Sequence, residues 1–316
     1  MRRTFLFGAI LALAISRPAQ PQSRIYRVGM IVNGDPRNPR WKSFDDQLAQ
    51  HGFIFGKNLD LRRLGDSSSS AEPVAALARD LIAWKADAIV VEGSGRARTL
   101  IGQTKTVPIV LAGAADPVGS GFVRNLARPG GNVTGVSSQE CDLVAKRFEL
   151  IRQLAPSARR VALIAHVAAI PCKLTKEALV GADSPLELTV VDVRGGPPAP
   201  AIQAALRTNP DVLVPFGVSY ARDPEGFAKV LEGRRIPIVS DDSWGESAVV
   251  SLIHDSDAIG RQCADQVARI LRGGSPADIP VELIGKFELI VNRRRAREIG
   301  LAIPESILLR ADRIID

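Results

Sequence analysis

The chain has 316 residues, of which 46% are hydrophobic and 24% are charged, so it is long enough for two domains with separate cores. Its net charge is +7, but the basic residues are spread along the chain and aromatic residues make up only 5%. Nucleic-acid-binding surfaces combine basic patches with stacking aromatics. We therefore expect no nucleic acid partner.

The first 23 residues have the parts of a signal peptide. Arg2 and Arg3 form a basic n-region, residues 6–15 form an apolar h-region, and residues 16–24 form a polar neck with a proline. The apolar run is shorter than the roughly 20 residues that span a bilayer, and no cysteine near the neck offers a lipid anchor. We predict that residues 1–23 are removed and that the mature protein is soluble in the periplasm.

Three short apolar segments of the first half recur in the same order in the second half. Residues 27–31 (RVGMI) recur as 160–164 (RVALI), 87–90 (DAIV) as 211–214 (DVLV), and 107–110 (VPIV) as 236–239 (IPIV). In both halves short strands alternate with helical stretches, which is typical of a parallel sheet with crossover helices. The repeat predicts two similar α/β lobes.

The helix that we predict after Asn38 and Pro39 carries Trp41, Phe44 and Leu48 on one face, so Trp41 is expected in the core more than in a ligand site.

The three cysteines, Cys141, Cys172 and Cys263, have no CxxC spacing, and one disulfide can form after export without the sequence saying which pair. Cys263 falls on an apolar helical stripe with Ile259 and Val267, so we predict that it is buried.

The segment 107–138 (VPIVLAGAADPVGSGFVRNLARPGGNVTGVSS) joins two short strands through a small-residue loop and a glycine-rich turn. A loop at the carboxyl edge of an α/β sheet is where such folds place ligands. This segment and the run 276–316 resemble the substrate-binding proteins of ABC transporters, in the branch with tryptophan/tyrosine-type uptake receptors. The resemblance implies a type I periplasmic binding protein, in which two Rossmann-like lobes with parallel sheets are joined by a hinge of three crossovers.

The predicted lobes are discontinuous in sequence. After the strand at 236–240 we expect the chain to return to lobe one with a strand at 248–252 and a helix at 257–271. Lobe one would then comprise 24–135 and 247–274, and lobe two 136–246 and 275–316. The crossings near 135, 244–248 and 273–286 would form a hinge that closes on a ligand.

No catalytic constellation is convincing. His51, His166 and His254 lie far apart in sequence and have no metal-ligand spacing. The segment 135–139 lacks the second glycine of a nucleophile elbow, and 93–98 (GSGRAR) has arginine at the third glycine of a dinucleotide fingerprint. We expect no enzyme activity, no metal and no cofactor.

Candidate ligand-binding residues in lobe one lie where predicted strands end. The backbone N–H groups after Gly93 and the Ser94 hydroxyl suit a carboxylate at a helix N-terminus, although Ser94 can equally be an ordinary helix cap. Asp116 falls in the Asp-Pro-Val motif of the resembling family, but it can instead cap the next turn. The lobe-one candidates are Asn33, Gly34, Gly93, Ser94, Ala115 and Asp116, followed by Ser137 and Ser138 just past the first crossing.

Lobe two offers aromatic and acidic candidates at its strand ends. Phe216 or Tyr220 can stack on an aromatic ligand, Asp241 or Asp242 can bind an ammonium group, and His166 ends another strand. Here the sequence departs from the family. Residues 166–168 replace its Asn-Pro-type turn, and 247–248 replace its Gly-Gly, so ligand identity does not transfer directly.

The expected function is that of a monomeric periplasmic receptor. It would capture a small-molecule ligand, with an amino acid or an aromatic or organic acid favoured over a neutral sugar, and deliver it to an ABC permease in the inner membrane. Ligand-induced closure would make the receptor recognisable to the permease. The alternatives are a periplasmic α/β enzyme that uses the inter-lobe cleft, and a ligand-sensing receptor for a signalling partner.

Overall fold

The computed structural model describes residues 24–37, 41–66, 71–165, 167, 179, 181, 183–193, 198–218, 224–241, 247–285 and 287–316. Within these ranges, no helix has the length and apolar character needed to cross a membrane. The predicted signal peptide, the predicted helix start at 38–39, and the candidates His166, Tyr220 and Asp242 lie outside the described residues.

Lobe one is built on a six-stranded parallel sheet with the strand order β11-β5-β4-β3-β1-β2. Its strands are β1 (Tyr26–Asn33), β2 (Leu59–Asp66), β3 (Ala88–Glu92), β4 (Ile109–Ala114), β5 (Val133–Ser137) and β11 (Glu282–Leu283). Its helices are α1 (Lys42–Gln50), α2 (Ala71–Ala83), α3 (Ser94–Gln103) and α7 (Ser256–Leu271). The central strands are apolar throughout because helices cover both faces of the sheet.

Alternate residues of β1 enter two different cores. Met30 packs with residues of α1 and α7, among them Phe44 and Cys263, whereas Ile31 packs with residues of α2 and α3. Trp41 is buried and meets Phe44 edge to face at 6.3 Å between ring centroids. The expected core positions of Trp41 and Cys263 are therefore confirmed.

Lobe two contains seven strands among the described residues. They are β6 (Arg160–Ala165), β7 (Glu187–Asp192), β8 (Val212–Phe216), β9 (Val239–Ser240), β10 (Val250–His254), β12 (Phe287–Asn292) and β13 (Arg313–Ile315). The strands order as β7-β6-β8 and β9-β10-β12-β13, and a bridge between Leu213 and Ile238 connects the two groups. The helices are α4 (Glu140–Leu154), α5 (Pro198–Arg207), α6 (Pro224–Leu231), α8 (Arg293–Ile299) and α9 (Glu305–Leu308).

The expected second crossing at 244–248 is wrong. β10 pairs in parallel with β9, with Val250 opposite Val239, and antiparallel with β12. The chain returns to lobe one only after His254, where the Asp255 side chain accepts a hydrogen bond from the N–H of Ala258 and caps α7. Val249 and Val250 belong to the lobe-two core. The sequence alone did not assign this strand correctly because its apolar residues would suit the core of either lobe.

The other lobe boundaries also shift by a few residues. β11 pairs with β5, and the N–H of Ile284 donates to the Ser137 carbonyl at 3.1 Å, so both segments belong to lobe one. The first crossing therefore follows Ser137, and the third lies between Ile284 and Phe287, where β12 begins. Lobe one thus ends at 137 and resumes at 255–285.

Candidate functional site

The polar residues of lobe one meet at the carboxyl edge of its sheet. β1, β3 and β4 are adjacent and parallel, so Asn33, Glu92 and Ala114 end at the same edge. The predicted candidates Asn33, Gly34, Gly93, Ser94 and Ala115 follow these strand ends, and the structure brings them to one edge. This is the position at which parallel α/β sheets bind ligands.

Arg96, which the sequence analysis missed as a site residue, organises this edge. It lies in the first turn of α3 and is buried. Its Nη2 donates to the Asn33 side-chain oxygen at 2.8 Å and to the Asp66 carbonyl at 2.7 Å, and its Nε lies 3.6 Å from the Asp66 carboxylate. A buried guanidinium needs such partners. The signal was present in GSGRAR, but the arginine was considered only as a departure from a glycine motif.

Glu92 is a second residue that the sequence analysis missed. Its Oε2 accepts a hydrogen bond from the backbone N–H of Asn33 at 2.7 Å. The main chain of Asn33 is thus bound by Glu92 while its side-chain oxygen is bound by Arg96. The end of β1 is held in one orientation, as a preformed binding edge requires.

The loop between β3 and α3 has the geometry of a donor site. Gly93 is the N-cap of α3 with φ of +77°, a conformation that favours glycine. The alternative reading of Ser94 as a helix cap is therefore wrong. The Ser94 hydroxyl accepts from the N–H of Ala115 at 3.0 Å. A hydroxyl both accepts and donates, and this contact uses Ser94 as an acceptor.

Asp116, Ser137 and Ser138 make hydrogen bonds within the chain. Asp116 Oδ1 accepts from the N–H of Gly119 at 2.8 Å, so the side chain caps the turn. Turn capping is the role that the sequence offered as the alternative to ligand binding. Ser137 Oγ accepts from the N–H of Gln139 at 3.3 Å. The N–H of Ser138 donates to the Ala114 carbonyl at 3.0 Å. Both serines are buried and tie the first crossing to β4.

The lobe-two candidates that the structure describes do not form an open stacking site. Phe216 is only 1% exposed and belongs to the lobe-two core. The expectation that it stacks on a ligand is wrong, because core side chains and the guanidinium of Arg147, 5.9 Å from its ring centroid, surround it. Asp241 Oδ2 accepts from the N–H of Gly217 and joins the loops that follow β8 and β9.

Arg147, Glu140 and His254 form a cluster of polar side chains beside the first two crossings. Arg147 Nη1 lies 2.7 Å from Glu140 Oε1, and Glu140 Oε2 lies 3.4 Å from His254 Nε2. Glu140 begins α4 directly after the first crossing, and His254 ends β10 directly before the second. In the sequence His254 is considered only as a metal ligand, and Glu140 and Arg147 are not among the predicted site residues.

Comparison with known proteins places nearly the whole chain in one family. Residues 27–315 match the model of the family described as ABC transporter substrate binding protein. A protein described as a tyrosine-binding protein, from Clostridioides difficile (strain R20291), is 25% identical over 271 residues, which cover 84% of this chain and 77% of that protein.

Solved structures share the architecture. A conserved domain protein from Vibrio cholerae is 26% identical with a TM-score of 0.81, over 93% of this chain and 100% of that chain. An ABC domain from Streptococcus pneumonia in complex with L-Trp is 23% identical with a TM-score of 0.79, over 92% and 100%. A glucose-galactose binding protein from Geobacillus stearothermophilus, 13% identical over 85% and 98%, has a TM-score of 0.59. The predicted two-lobe fold of a type I periplasmic binding protein is confirmed.

Proposed function

Because this chain belongs to the ABC transporter substrate-binding protein family, we propose that it is a periplasmic receptor for a small organic solute, with an amino acid or an aromatic or organic acid favoured. It delivers this solute to an ABC permease in the inner membrane. The observation that carries the proposal is the preorganised edge of lobe one. There the Ser94 hydroxyl and the N-terminus of α3 lie beside Asn33, which Arg96 and Glu92 hold in place.

The chemistry of this edge favours a carboxylate. The backbone N–H groups in the first turn of a helix have no partner within the helix and carry partial positive charge. At the start of α3 they follow Gly93, whose missing side chain lets a ligand approach the backbone. With the Ser94 proton as an additional donor, the edge suits a carboxylate better than a neutral sugar.

The relatives support the same class of solute. One is named as a tyrosine-binding protein and another was solved with L-Trp bound. Both names describe amino acids with an aromatic side chain. We therefore propose L-tyrosine and L-tryptophan as the first solutes to test on this chain.

Capture requires the lobes to close. The chain passes between them at three places, after Ser137, after His254 and after Ile284. A ligand that contacts both lobes stabilises the closed arrangement, and its binding free energy shifts the equilibrium toward that form. The closed form is the one that the permease would recognise.

The periplasmic location has support beyond the N-terminal sequence. Cys141 is disulfide-bonded, and disulfides persist in oxidising compartments such as the periplasm. The basic and apolar residues 2–15 supply the export signal.

A thermal-shift screen of the mature protein tests the proposal. The panel should contain amino acids, aromatic acids and neutral sugars, and calorimetry should follow for every hit. A ligand that binds only the native state raises the melting temperature, so L-tyrosine or L-tryptophan should do so. Small-angle scattering should then show a smaller radius of gyration with the ligand. Tight binding of a neutral sugar, or turnover of any bound compound, would contradict the proposal.

A further inference from the structure

Glu140 presents a carboxylate at the junction of the two lobes. It is the first residue of α4, two positions after Ser138, and its side chain is 13% exposed. Oε1 accepts from Arg147 Nη1 at 2.7 Å, and Oε2 lies 3.4 Å from His254 Nε2. An ionised carboxylate has about four lone-pair positions. Glu140 therefore keeps acceptor capacity beyond these two contacts.

Arg147 holds this carboxylate in a fixed position. Its guanidinium has no exposed surface, and its Nη2 donates to the Leu252 carbonyl at 2.7 Å. Burying a charge in this way costs free energy that a surface residue would avoid. Arg147 is bound both to β10 and to Glu140. It therefore holds the Glu140 carboxylate in one orientation before a ligand binds.

A short series of contacts connects Glu140 with the donor edge of lobe one. Ser94 accepts from the N–H of Ala115, and the neighbouring Ala114 carbonyl accepts from the N–H of Ser138. Two residues of extended chain span at most about 7 Å. The Cα atom of Glu140, at the start of lobe two, therefore lies within about 7 Å of the Cα atom of Ser138. Ser94 of lobe one and Glu140 of lobe two are thus connected through two hydrogen bonds and a short stretch of chain at the first crossing.

We propose that Glu140 is the acceptor for the ammonium group of the ligand and that Arg147 is its positioning residue; this rests on the proposed function. An ammonium group has three donors, which suits a preoriented carboxylate. A zwitterionic amino acid would place its carboxylate on lobe one, at Ser94, and its ammonium on lobe two. The ligand would then join the lobes by its two charges. The assignment is an alternative to the expected acceptor Asp241, whose Oδ2 accepts from the N–H of Gly217.

The test compares ligands that differ only in the ammonium group. Calorimetry should measure L-tyrosine against 3-(4-hydroxyphenyl)propanoate, and L-tryptophan against indole-3-propanoate, on the wild type and on Glu140→Gln. The wild type should prefer the amino acid by at least about tenfold, because a charge-assisted hydrogen bond distinguishes the two. Glu140→Gln should lose most of this preference while its affinity for the deamino analogue stays nearly unchanged.

Two further variants separate recognition from folding. Glu149→Gln changes an exposed glutamate of the same helix and should keep the full preference. Glu140→Asp keeps a negative charge beside Arg147, so it should fold even if Glu140→Gln does not. It withdraws the carboxylate by one methylene, which should reduce the preference several-fold. A purely structural Glu140 would instead weaken the amino acid and its analogue equally.

The outcomes distinguish this inference from the proposed function. If the wild type binds an amino acid and both Glu140 variants keep its preference, the assignment of Glu140 is overturned and the receptor function stands. If the wild type binds neither amino acid, the proposed solute class fails and the assignment fails with it.

Discussion

Asp211 and Arg160 exchange a pair of hydrogen bonds at the base of lobe two. Asp211 Oδ2 accepts from the N–H of Arg160 at 2.9 Å, and the N–H of Asp211 donates to the Arg160 carbonyl at 2.7 Å. Asp87 and Arg27 make the same pair in lobe one, at 2.8 and 2.7 Å. In each lobe the aspartate precedes a central strand and binds the start of its parallel neighbour, which aligns the two strands.

This pairing predicts a pH-dependent contribution to stability. Hydrogen bonds from the N–H groups of Arg160 and Arg159 lower the pKa of Asp211. The pKa of an aspartate in the unfolded chain is about 3.9. Because the pKa of Asp211 is lower than this in the folded protein, its ionised form stabilises the fold at pH values above about 3.9. The contribution is lost as the pH falls through the lowered folded-state value. Asp211→Asn should therefore be less stable than the wild type at pH 7, with a smaller difference at pH 3.

Urea denaturation of both proteins at the two pH values measures this difference. Asp278→Asn changes an exposed aspartate that has no side-chain hydrogen bond within the described part of the chain, and it should behave as the wild type. A stability difference that is the same at both pH values would show that the charge of Asp211 is unimportant.

Exchange of Gly135 for alanine should strongly destabilise the protein, whereas exchange of Gly102 for alanine should not. Gly135 has φ of +138°, and a Cβ at this position would lie 2.2 Å from the backbone N of Leu111 in β4. Gly135→Ala should cost about 3 kcal/mol or more, because backbone strain and overlap with a neighbouring strand add together. Gly102 lies on the exposed side of α3 with nothing within 4 Å. Gly102→Ala should raise stability by about 0.5–1 kcal/mol through helix propensity.

The free energy of unfolding, obtained from urea titration, checks both glycine variants. A Gly135→Ala protein as stable as the wild type would rule out the close approach of β4 and β5. The Gly102→Ala variant controls for the general effect of exchanging glycine for alanine.

Ser94→Ala should weaken ligand binding more than it weakens the fold. The change removes a hydroxyl donor to a carboxylate, which corresponds to about a tenfold loss of affinity or more. It also leaves the N–H of Ala115 without its acceptor, at a cost of about 1 kcal/mol in stability. Calorimetry and thermal unfolding measure the two effects. Thr99→Ala, also on α3, should keep wild-type affinity, and equal affinity for Ser94→Ala would remove Ser94 from the site.

Cys263 should be unreactive in the native protein. Its side chain is fully buried in lobe one, and burial raises the pKa of the thiol. A thiol reacts as its thiolate, so a water-soluble disulfide reagent should detect no thiol until the protein is unfolded. Unfolding without a reductant should then expose one thiol, that of Cys263, because Cys263 is free whereas Cys141 is disulfide-bonded. Prior reduction should expose three, the number of cysteines in the sequence. Rapid labelling of the folded protein would contradict the buried position.

Much of the architecture was predictable because local patterns repeat in both lobes. The segments that begin at 27, 87 and 107 recur in the second half, and each pair forms equivalent parallel strands except at 236–239, where the strand is only two residues long. Strand ends could also be located, which is why Asn33, Gly93 and Ser94 were predicted at the carboxyl edge of the lobe-one sheet, where the structure places them. The core positions of Trp41 and Cys263 followed from helical spacing.

The lobe to which a strand belongs was not predictable in one case. β10 carries apolar residues that suit either core, and only its pairing with β9 and β12 assigns it to lobe two. The burial of Phe216 was not predictable for a related reason. A strand-end aromatic can face a cleft or the core, and the packing around Arg147 decides between them.

The sequence by itself determined the number of lobes, the parallel direction of most of their strands and the edge at which polar residues collect, because these follow from hydrophobic period and chain order. The tertiary structure alone decided which groups bind the buried arginines Arg96 and Arg147. Arg96 reaches Asn33 across 63 positions, and Arg147 reaches Leu252 across 105. Such contacts depend on how distant segments pack, and nothing in the local pattern around either arginine specifies its partner.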